Sequence, residues 1–275
     1  MADIKINEKL VVSQTGTAEP VLASNVDLSS ATGIPAAGII GVLPVRNENL
    51  IINRVSNSTI DIDADYLTLL LSSGVGYIAS SINLTIDITA SGANGLDTGS
   101  EGSSTWYYIW VIYNGTTVAG LFSTSATAPT MPAGYTYKKF VGAVRNNSSS
   151  NFLDFHQRGN DVMLTTSSAD HRVVTNGTAT SYTSCSLVNA VPPNAHVVKG
   201  WMGTAASNER CLAWVAATSS GRGEHCHDSA GTTYGGCLSF EIVLVETQTL
   251  YYKIHSSLGL NVDIYPTGHR FAGIV

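Results

Sequence analysis

The sequence predicts an all-β protein, and three observations support this fold class. Apolar and polar residues alternate along Ile60–Asp63 and again along Leu84–Thr89, which is the two-residue period of a half-buried strand. Further runs of β-branched and aromatic residues follow, separated by clusters of Gly, Ser, Asn and Pro. Charged residues make up only 12% of the 275 residues, whereas roughly a quarter is usual, so the polar surface consists mainly of hydroxyls and amides. The helix candidate, Asp65–Leu71, fits a strand equally well.

Residues 1–50 are predicted to form an extended N-terminal attachment arm. They hold turn-forming clusters of small residues at 13–16 and 29–35 and show little helical periodicity. A segment of this kind cannot bury its own apolar residues, so contacts with another partner must offset the entropy lost when it becomes ordered. We therefore expect this arm to pack on another protein.

Residues 51–160 are predicted to form a β-rich middle domain. The run Trp106–Tyr113 (WYYIWVIY) is followed by Asn114 and Gly115, a hairpin turn signal, and then by the returning strand Val118–Phe122. Two more strands are predicted here, namely Val141–Arg145 and Phe152–His156. Because WYYIWVIY is apolar on both faces, either a second layer of the same chain or a neighbouring subunit has to cover it. The second alternative would make this the trimerising domain of a homotrimer.

Residues 161–275 are predicted to form a C-terminal β-sandwich. Short runs of strand-forming residues are spaced by turn signals throughout this part, which is typical of a sandwich. The predicted strands are His171–Val174, Tyr182–Val188, His196–Met202, Cys211–Ala216, Leu238–Glu246, Leu250–His255 and Leu260–Tyr265.

Charge and hydropathy exclude several classes of partner. A net charge of −6 with 14 basic residues provides no basic surface for nucleic acid. No apolar run reaches the roughly 18 residues that a membrane helix needs, and Met1–Lys5 lacks the pattern of a secretory signal. We therefore expect no nucleic-acid partner, no membrane insertion and synthesis in a cytoplasm.

The 4 cysteines lie in the last third of the chain, at Cys185, Cys211, Cys226 and Cys237. Their spacing contains no C-x-x-C pair, so a zinc ribbon is not predicted. In a cytoplasmic product, buried free thiols are favoured over disulfides.

The middle of the chain contains a series of motifs in a fixed order. They are Gly41–Val45 (GVLPV), Gly95–Glu101 (GLDTGSE), Ser104–Trp110 (STWYYIW), Ser123–Lys138 (STSATAPTMPAGYTYK) and Val141–Asn147 (VGAVRNN). This series resembles a module of bacteriophage and prophage tail-fibre-like virion proteins, and the match covers about residues 38–160. The last third is similar to phage fibre tips only in style, through Val191–Ala195 (VPPNA). The resemblance implies a virion component, often a homotrimer and sometimes a receptor binder, with no known catalytic residues.

The segment Glu224–Asp228 (EHCHD) is the candidate metal site. On a strand, His225 and His227 would project to the same side, about 7 Å apart. If this segment lay on a trimer axis, six imidazoles could surround one iron, nickel or zinc ion, and the segment resembles the His-x-His device of some phage fibres. The alternative is a solvated loop with two ordinary histidines, because glycines flank the segment on both sides. No other cofactor is expected.

Aromatic residues of the last third are the candidate contacts for a glycan or receptor. They are Trp201, Trp214, Tyr234, Tyr251, Tyr252 and Tyr265. Exposed rings can stack on sugar faces while nearby Asn, Asp and Ser groups bond the hydroxyls. The alternative is that these rings belong to the core, as most aromatic residues of β-sandwiches do.

No catalytic pattern is present, so we expect no enzyme. The sequence lacks His-Glu-x-x-His, a P-loop and a Gly-x-Ser-x-Gly elbow, and its carboxylates are scattered. Together with the resemblance, this predicts a bacteriophage virion structural protein, assembled in the host cytoplasm. Its expected role is that of a short tail fibre or receptor-binding protein that attaches to a host-surface glycan or protein and contacts other virion proteins through residues 1–50. The alternative is a capsid decoration or head-fibre protein that stabilises the shell, and a glycan depolymerase is a third, less favoured one.

Overall fold

The chain folds as two compact units, Met1–Leu43 and Pro44–Val275. The computed structural model describes the strands Ile4–Ile6, Lys9–Ser13 and Val21–Leu22, and then residues 46–165, 171–205, 211–229, 236–255 and 261–273. In the first unit, β1 (Ile4–Ile6), β2 (Lys9–Ser13) and β3 (Val21–Leu22) form an antiparallel sheet with β2 in the middle. The attachment role of residues 1–50 stays a prediction.

The second unit consists of strands joined by turns. Its first strands are β4 (Asn47–Glu48), β5 (Ile51–Arg54), β6 (Thr59–Leu70), β7 (Gly76–Asp87), β8 (Gly95–Leu96), β9 (Trp106–Tyr113), β10 (Val118–Ser123), β11 (Tyr137–Arg145), β12 (Phe155–Arg158) and β13 (Asp161–Leu164). Its later strands are β14 (Val174–Gly177), β15 (Thr183–Ser186), β16 (Ala195–Ala205), β17 (Cys211–Ala216), β18 (His225–Ser229), β19 (Cys237–Val243), β20 (Thr249–Ile254) and β21 (Asn261–Phe271). The predicted all-β fold class is confirmed, and the described residues contain no α-helix.

One large sheet runs through most of the second unit, in the order β19-β16-β21-β13-β12-β5-β6-β11-β9-β10-β8. Strand β6 is central to this sheet, because it pairs with β7 on one edge and with β5, β4 and β11 in turn on the other. The alternation seen in the sequence places Ile60 and Ile62 in the core at 0% exposure, while Asp61 and Asp63 are half-buried on the other face. The helix candidate within β6 is therefore a strand.

The large sheet curls so that β7 and β10 come together at Asn94. The Asn94 carbonyl accepts the N–H of Asp87 at 3.0 Å, and its own N–H donates to the Gly120 carbonyl at 2.8 Å. Its side-chain oxygen accepts the N–H of Gly120 at 2.9 Å. Asn94 has a φ of 63°, a left-handed conformation that asparagine tolerates better than most residues. This single residue therefore bridges two strands that do not pair directly.

Strand β9 has the predicted bounds, and all its residues after the first are buried. On one face, Trp110 contacts Phe140 with ring centroids 5.7 Å apart, and Phe140 in turn contacts Phe271 at 5.3 Å. At its end, Tyr113 stacks on Tyr77 with centroids 3.9 Å apart. The apolar strand β9 is therefore covered by residues of its own chain, which is the first of the two alternatives considered for it. The apolar run needs no neighbouring subunit to bury it.

A second, smaller sheet has the order β15-β20-β17-β18 and faces the C-terminal part of the large sheet. The core between them takes residues from both sheets, including Val198, Met202, Ile242 and Ile264 from the large one and Ala213, Val215, Leu250 and Ile254 from the small one. Two sheets packed over a shared core are compatible with the predicted C-terminal β-sandwich.

Strand β21 connects the two hydrophobic cores. Its residues Val262 and Ile264 belong to the second core, whereas Phe271 belongs to the first. The large sheet thus continues through residue 160, near which the sequence predicts a domain boundary. The first core itself takes Val162 and Phe271 from beyond that point, and the predicted domains 51–160 and 161–275 stay a prediction.

Cys185, Cys226 and Cys237 form no disulfide bond among the described residues. Cys185 is buried, as expected, and burial raises the pKa of its thiol to about 12. Cys226 and Cys237 are exposed instead, because both lie on outer faces of edge strands. The predicted burial is therefore confirmed for Cys185 and wrong for Cys226 and Cys237.

Candidate functional site

The predicted metal ligands His225 and His227 lie on strand β18, at the edge of the small sheet. They pair with Val215 and Ala213 of β17, which belong to the second core. Because directly opposite residues share a face, both histidines lie on the inner face of the sheet, on the same side as each other. The predicted same-side spacing is therefore present, but it is directed toward the protein interior.

The imidazole of His227 is closely surrounded by its own chain. Its Nε2 atom is buried and has no hydrogen-bond partner among the described residues. A Cβ atom built on Gly236 would lie only 2.3 Å from this nitrogen, so the ring packs directly against that glycine. Among the described residues, no group of three or more His, Cys, Asp or Glu is placed to hold an ion. A site shared across a trimer axis stays a prediction.

The predicted aromatic residues separate onto different surfaces. Trp201 of β16 and Tyr265 of β21 are cross-strand partners on the outer face of the large sheet, here called the large-sheet face. Their rings stack with centroids 4.2 Å apart and an interplanar angle of 14°. Arg172 approaches Tyr265 from the β14 side, with its guanidinium 5.4 Å from the ring centroid, and it also pairs with Asp263. Tyr265 is therefore held between a tryptophan and a cation.

The charged groups of the large-sheet face are paired with one another. Asp161 accepts hydrogen bonds from Lys199 and from Arg270, the latter at 2.9 Å. Arg270 also donates to Glu241 at 2.7 Å. This network joins β13, β16, β19 and β21 and so ties the strands together at their surface.

The outer face of the small sheet, here called the small-sheet face, carries a second aromatic group. Lys253 of β20 is the cross-strand partner of Trp214 on β17, and its ammonium lies 4.7 Å from the indole centroid. On its other side the same ammonium lies 4.3 Å from the ring of Tyr182. The Tyr182 hydroxyl donates to Glu224, and burial together with this carboxylate raises the pKa of Tyr182. Gly221 packs against the Tyr182 ring, where a Cβ atom would come within 2.8 Å of Cε2.

Tyr251 lies beside this row on the small-sheet face. Its hydroxyl donates to both carboxylate oxygens of Glu246, at 2.9 and 3.1 Å, and this bond raises the pKa of Tyr251. Its cross-strand partners are Ser184 and Ala216, which are both small. Within the described part of the chain, no ring or cation stacks on Tyr251. Its hydroxyl is therefore fixed while its ring is left without a stacking partner.

Two predicted aromatic residues remain, namely Tyr252 and Tyr234. Tyr252 points inward, packs against the second core, and lies so close to Gly177 that a Cβ atom there would be 2.6 Å from the Tyr252 ring. Tyr234 lies outside the described residues. Tyr182 and Lys253 were not among the predicted site residues, because only the register between β15, β20 and β17 shows that they lie beside Trp214.

The indole N–H groups distinguish structural tryptophans from surface tryptophans. Trp106 donates to the Val188 carbonyl at 2.8 Å, and Trp110 donates to the Ser125 carbonyl at 3.2 Å. The N–H groups of Trp201 and Trp214 meet no acceptor in the described ranges. A tryptophan N–H normally finds a partner when buried, so Trp201 and Trp214 differ in this respect from Trp106 and Trp110 within the described ranges.

A small cavity lies where the two cores meet. It is lined by Trp106, Arg145, His171, Asn189 and His269, among others, and has room for about one water molecule. Arg145 donates to the Asn189 side chain at 2.9 Å across this junction. The cavity is too small for a substrate, so we place the candidate site on the outer faces.

Comparison with known protein families finds no matching family model, and comparison with curated proteins finds no significant match. The fold and the candidate site therefore define the chain as an all-β protein with aromatic residues on two outer sheet faces. Among the described residues, no helix has the length and apolar character required to cross a bilayer.

Proposed function

We propose that this chain is a bacteriophage virion structural protein, namely a short tail fibre or receptor-binding protein that attaches the particle to a host-surface glycan or protein. The observation that carries host attachment is the small-sheet face, where the ring of Tyr251 and the indole N–H of Trp214 have no partner among the described residues. The exposed carboxylates of Glu246 at Tyr251 and of Glu224 at Tyr182 provide hydrogen-bond acceptors for a bound molecule. The protein acts by binding and not by catalysis.

The resemblance of residues 38–160 to a fibre module supports a place in the virion. The low content of charged residues supports attachment that depends little on ionic strength, because screening acts on charge. In a homotrimer, three small-sheet faces would engage the host together, and their combined avidity would exceed the affinity of one face. Residues 1–50 would hold the protein to other virion proteins, and the particle would be assembled in the host cytoplasm.

Immunogold labelling of intact particles with antibody against this chain tests the proposal. Label at the tail tip supports it. Label distributed over the head contradicts it and favours a capsid decoration or head-fibre protein. Release of reducing ends from host glycans by the purified protein would also contradict it, because a binding protein breaks no glycosidic bond.

A further inference from the structure

We propose that the ligand of this protein is an uncharged saccharide and that it binds on the small-sheet face, with Tyr251 as the stacking ring. This inference rests on the proposed attachment function, because it names where attachment occurs and to which chemistry. Three features carry it, namely the difference between the two outer faces, the arrangement around Tyr251, and the charge that lines it.

In the described part of the large-sheet face, the aromatic rings of Trp201 and Tyr265 are less available to a ligand than the ring of Tyr251. Strands β14 and β16 flank β21 on opposite sides, so Arg172 and Trp201 cover Tyr265 from opposite sides. Trp201 gives one ring face to Tyr265 and lies over Gly203, where a Cβ atom would be 2.9 Å from Cζ3. These aromatic groups satisfy one another, so we assign them a structural role.

Tyr251 is prepared for stacking without such a partner. Its hydroxyl is fixed by Glu246, so the ring loses little further freedom when a ligand binds. The exposed hydroxyl of Ser184 lies opposite on β15, and the indole of Trp214 lies on the neighbouring strand β17. A sugar ring can place its C–H face on Tyr251 while its hydroxyls bond to these groups, which is how an amphipathic ring is recognised at a wet surface.

Charge on the small-sheet face favours a ligand without negative charge. Glu246 and Glu224 are exposed, and each accepts a hydrogen bond from a tyrosine hydroxyl. Their remaining lone pairs accept hydrogen bonds from sugar hydroxyls, but their charge repels a uronate or a phosphate. The ammonium of Lys253 is engaged between two rings and is therefore directed at them and not at a ligand above Tyr251. A neutral hexose or N-acetylhexosamine chain satisfies this arrangement.

The test measures binding of the untagged full-length protein to cell envelopes from a panel of bacteria. Two sets of oligosaccharides compete, namely neutral hexose and N-acetylhexosamine chains and the same backbones carrying uronate or phosphate. We expect the neutral set to compete and the charged set to compete more weakly. Tyr251→Ala should lower the affinity about tenfold, as loss of a central aromatic contact does. Tyr265→Ala, a matched change on the large-sheet face, should leave affinity unchanged.

Each other outcome overturns a defined part of the proposal. Equal loss in Tyr265→Ala and Tyr251→Ala would contradict the assignment to the small-sheet face. Stronger competition by charged chains, or none by neutral ones, would contradict the ligand class and leave attachment itself standing. If the wild-type protein bound no envelope in the panel, the proposed attachment function would be wrong. Tyr251→Phe keeps the ring and should retain most of the affinity, so it serves if the alanine variant does not fold.

Discussion

His269 lies fully buried where the two cores meet. Its ring contacts Trp106 and Phe271 edge to face, with centroids 6.3 and 5.0 Å apart. Both of its ring nitrogens lack a hydrogen-bond partner among the described residues. Burial, with the nearby charges of His171 and Lys199, lowers the pKa of His269 from 6.5 to about 3. The folded protein therefore keeps this imidazole neutral.

This histidine makes stability depend on pH. Because its pKa is lower in the folded chain than in the unfolded chain, the unfolded chain takes up a proton first as the pH falls. The contribution of His269 to the free energy of unfolding is complete above pH 6.5 and is lost toward about pH 3, by up to about 1.4 kcal/mol per pH unit. His269→Phe should flatten this dependence, measured by urea unfolding across that pH range. An unchanged slope in the variant would show that other groups cause the acid sensitivity.

Asn146 is a second buried polar residue, but its hydrogen bonds are complete. It is 0% exposed, its Oδ1 accepts the N–H of Thr105 at 2.7 Å, and its Nδ2 donates to Glu101 and to the Gly102 carbonyl at 2.9 and 2.6 Å. The side chain thus fixes the loop before β9 to the end of β11.

Replacing Asn146 should be costly because its partners would stay behind. Asn146→Ala leaves a backbone donor and a carboxylate without their bonds, so we expect the free energy of unfolding to fall by about 3 kcal/mol. Chemical denaturation measures this value. The exposed Asn114 turn provides a control, since Asn114→Asp keeps the acceptor oxygen that its turn uses and should change stability little. Equal losses in both variants would contradict the buried role.

At the scale of elements, strand β21 is the structural link between the cores. It pairs with β16 along most of its length and also with β13 and β14. Gly268 lets it approach β13, because a Cβ atom there would lie 2.2 Å from the Val162 carbonyl oxygen. The end of the strand then places Phe271 against Phe140 in the first core.

Phe271 should therefore stabilise the first core, most of which lies far from it in sequence. Phe271→Ala removes the ring that covers Phe140 and is expected to lower the free energy of unfolding by about 4 kcal/mol. Fluorescence of a variant in which Trp106, Trp201 and Trp214 are replaced by Phe, which reports on Trp110 beside Phe140, should follow the same transition. If only the second core were destabilised, with Trp110 unaffected, the connecting role of β21 would be wrong.

The sequence predicts those strands best that carry a strong apolar pattern. The bounds of β9 and β17 agree with the predicted Trp106–Tyr113 and Cys211–Ala216, because both runs are rich in buried residues. Strands β13 and β18 were not among the strands predicted from the sequence. Strand β13 has only four residues, and β18 (HCHDS) is a polar strand at a sheet edge, so neither shows a hydrophobic period.

At the scale of the whole molecule, four residues of the two outer faces were predicted from the sequence as ligand contacts. The sequence did not show which of them lie on the same face. Trp214 and Tyr251 differ from Trp201 and Tyr265 only by the sheet they belong to. That sorting depends on pairing between distant strands, and two irregularities shift the register of β16 against β21. Bulges of this kind leave no clear signal in a single sequence.

The predicted homotrimer can be tested on the same scale. Light scattering of the untagged protein at several concentrations should give a stable mass near three times 28.9 kDa. Strand β9 is already covered within one chain, so the contact between copies would have to use other surfaces. A monomer at all concentrations would contradict both the trimer and the avidity that the proposed function uses.

The metal hypothesis depends on that trimer. Elemental analysis of trimeric protein purified without a histidine tag should find about one iron, nickel or zinc ion per three chains if His225 and His227 meet on an axis. His225→Ala should then abolish the metal content, with His196→Ala as a control on another strand. Protein without any of these metals would contradict the hypothesis, and the packing of His227 against Gly236 would explain the result.

The position of β21 in both cores has a mechanical consequence. In the proposed fibre, tension would pass from the tip to the base, and weak junctions along that path would yield first. Here the load would run along β21. The backbone hydrogen bonds between β21 and β16 lie side by side along the strand, so a force parallel to the strand would act on all of them at once. Under such tension, the two cores should therefore resist as a single body and unfold in one event.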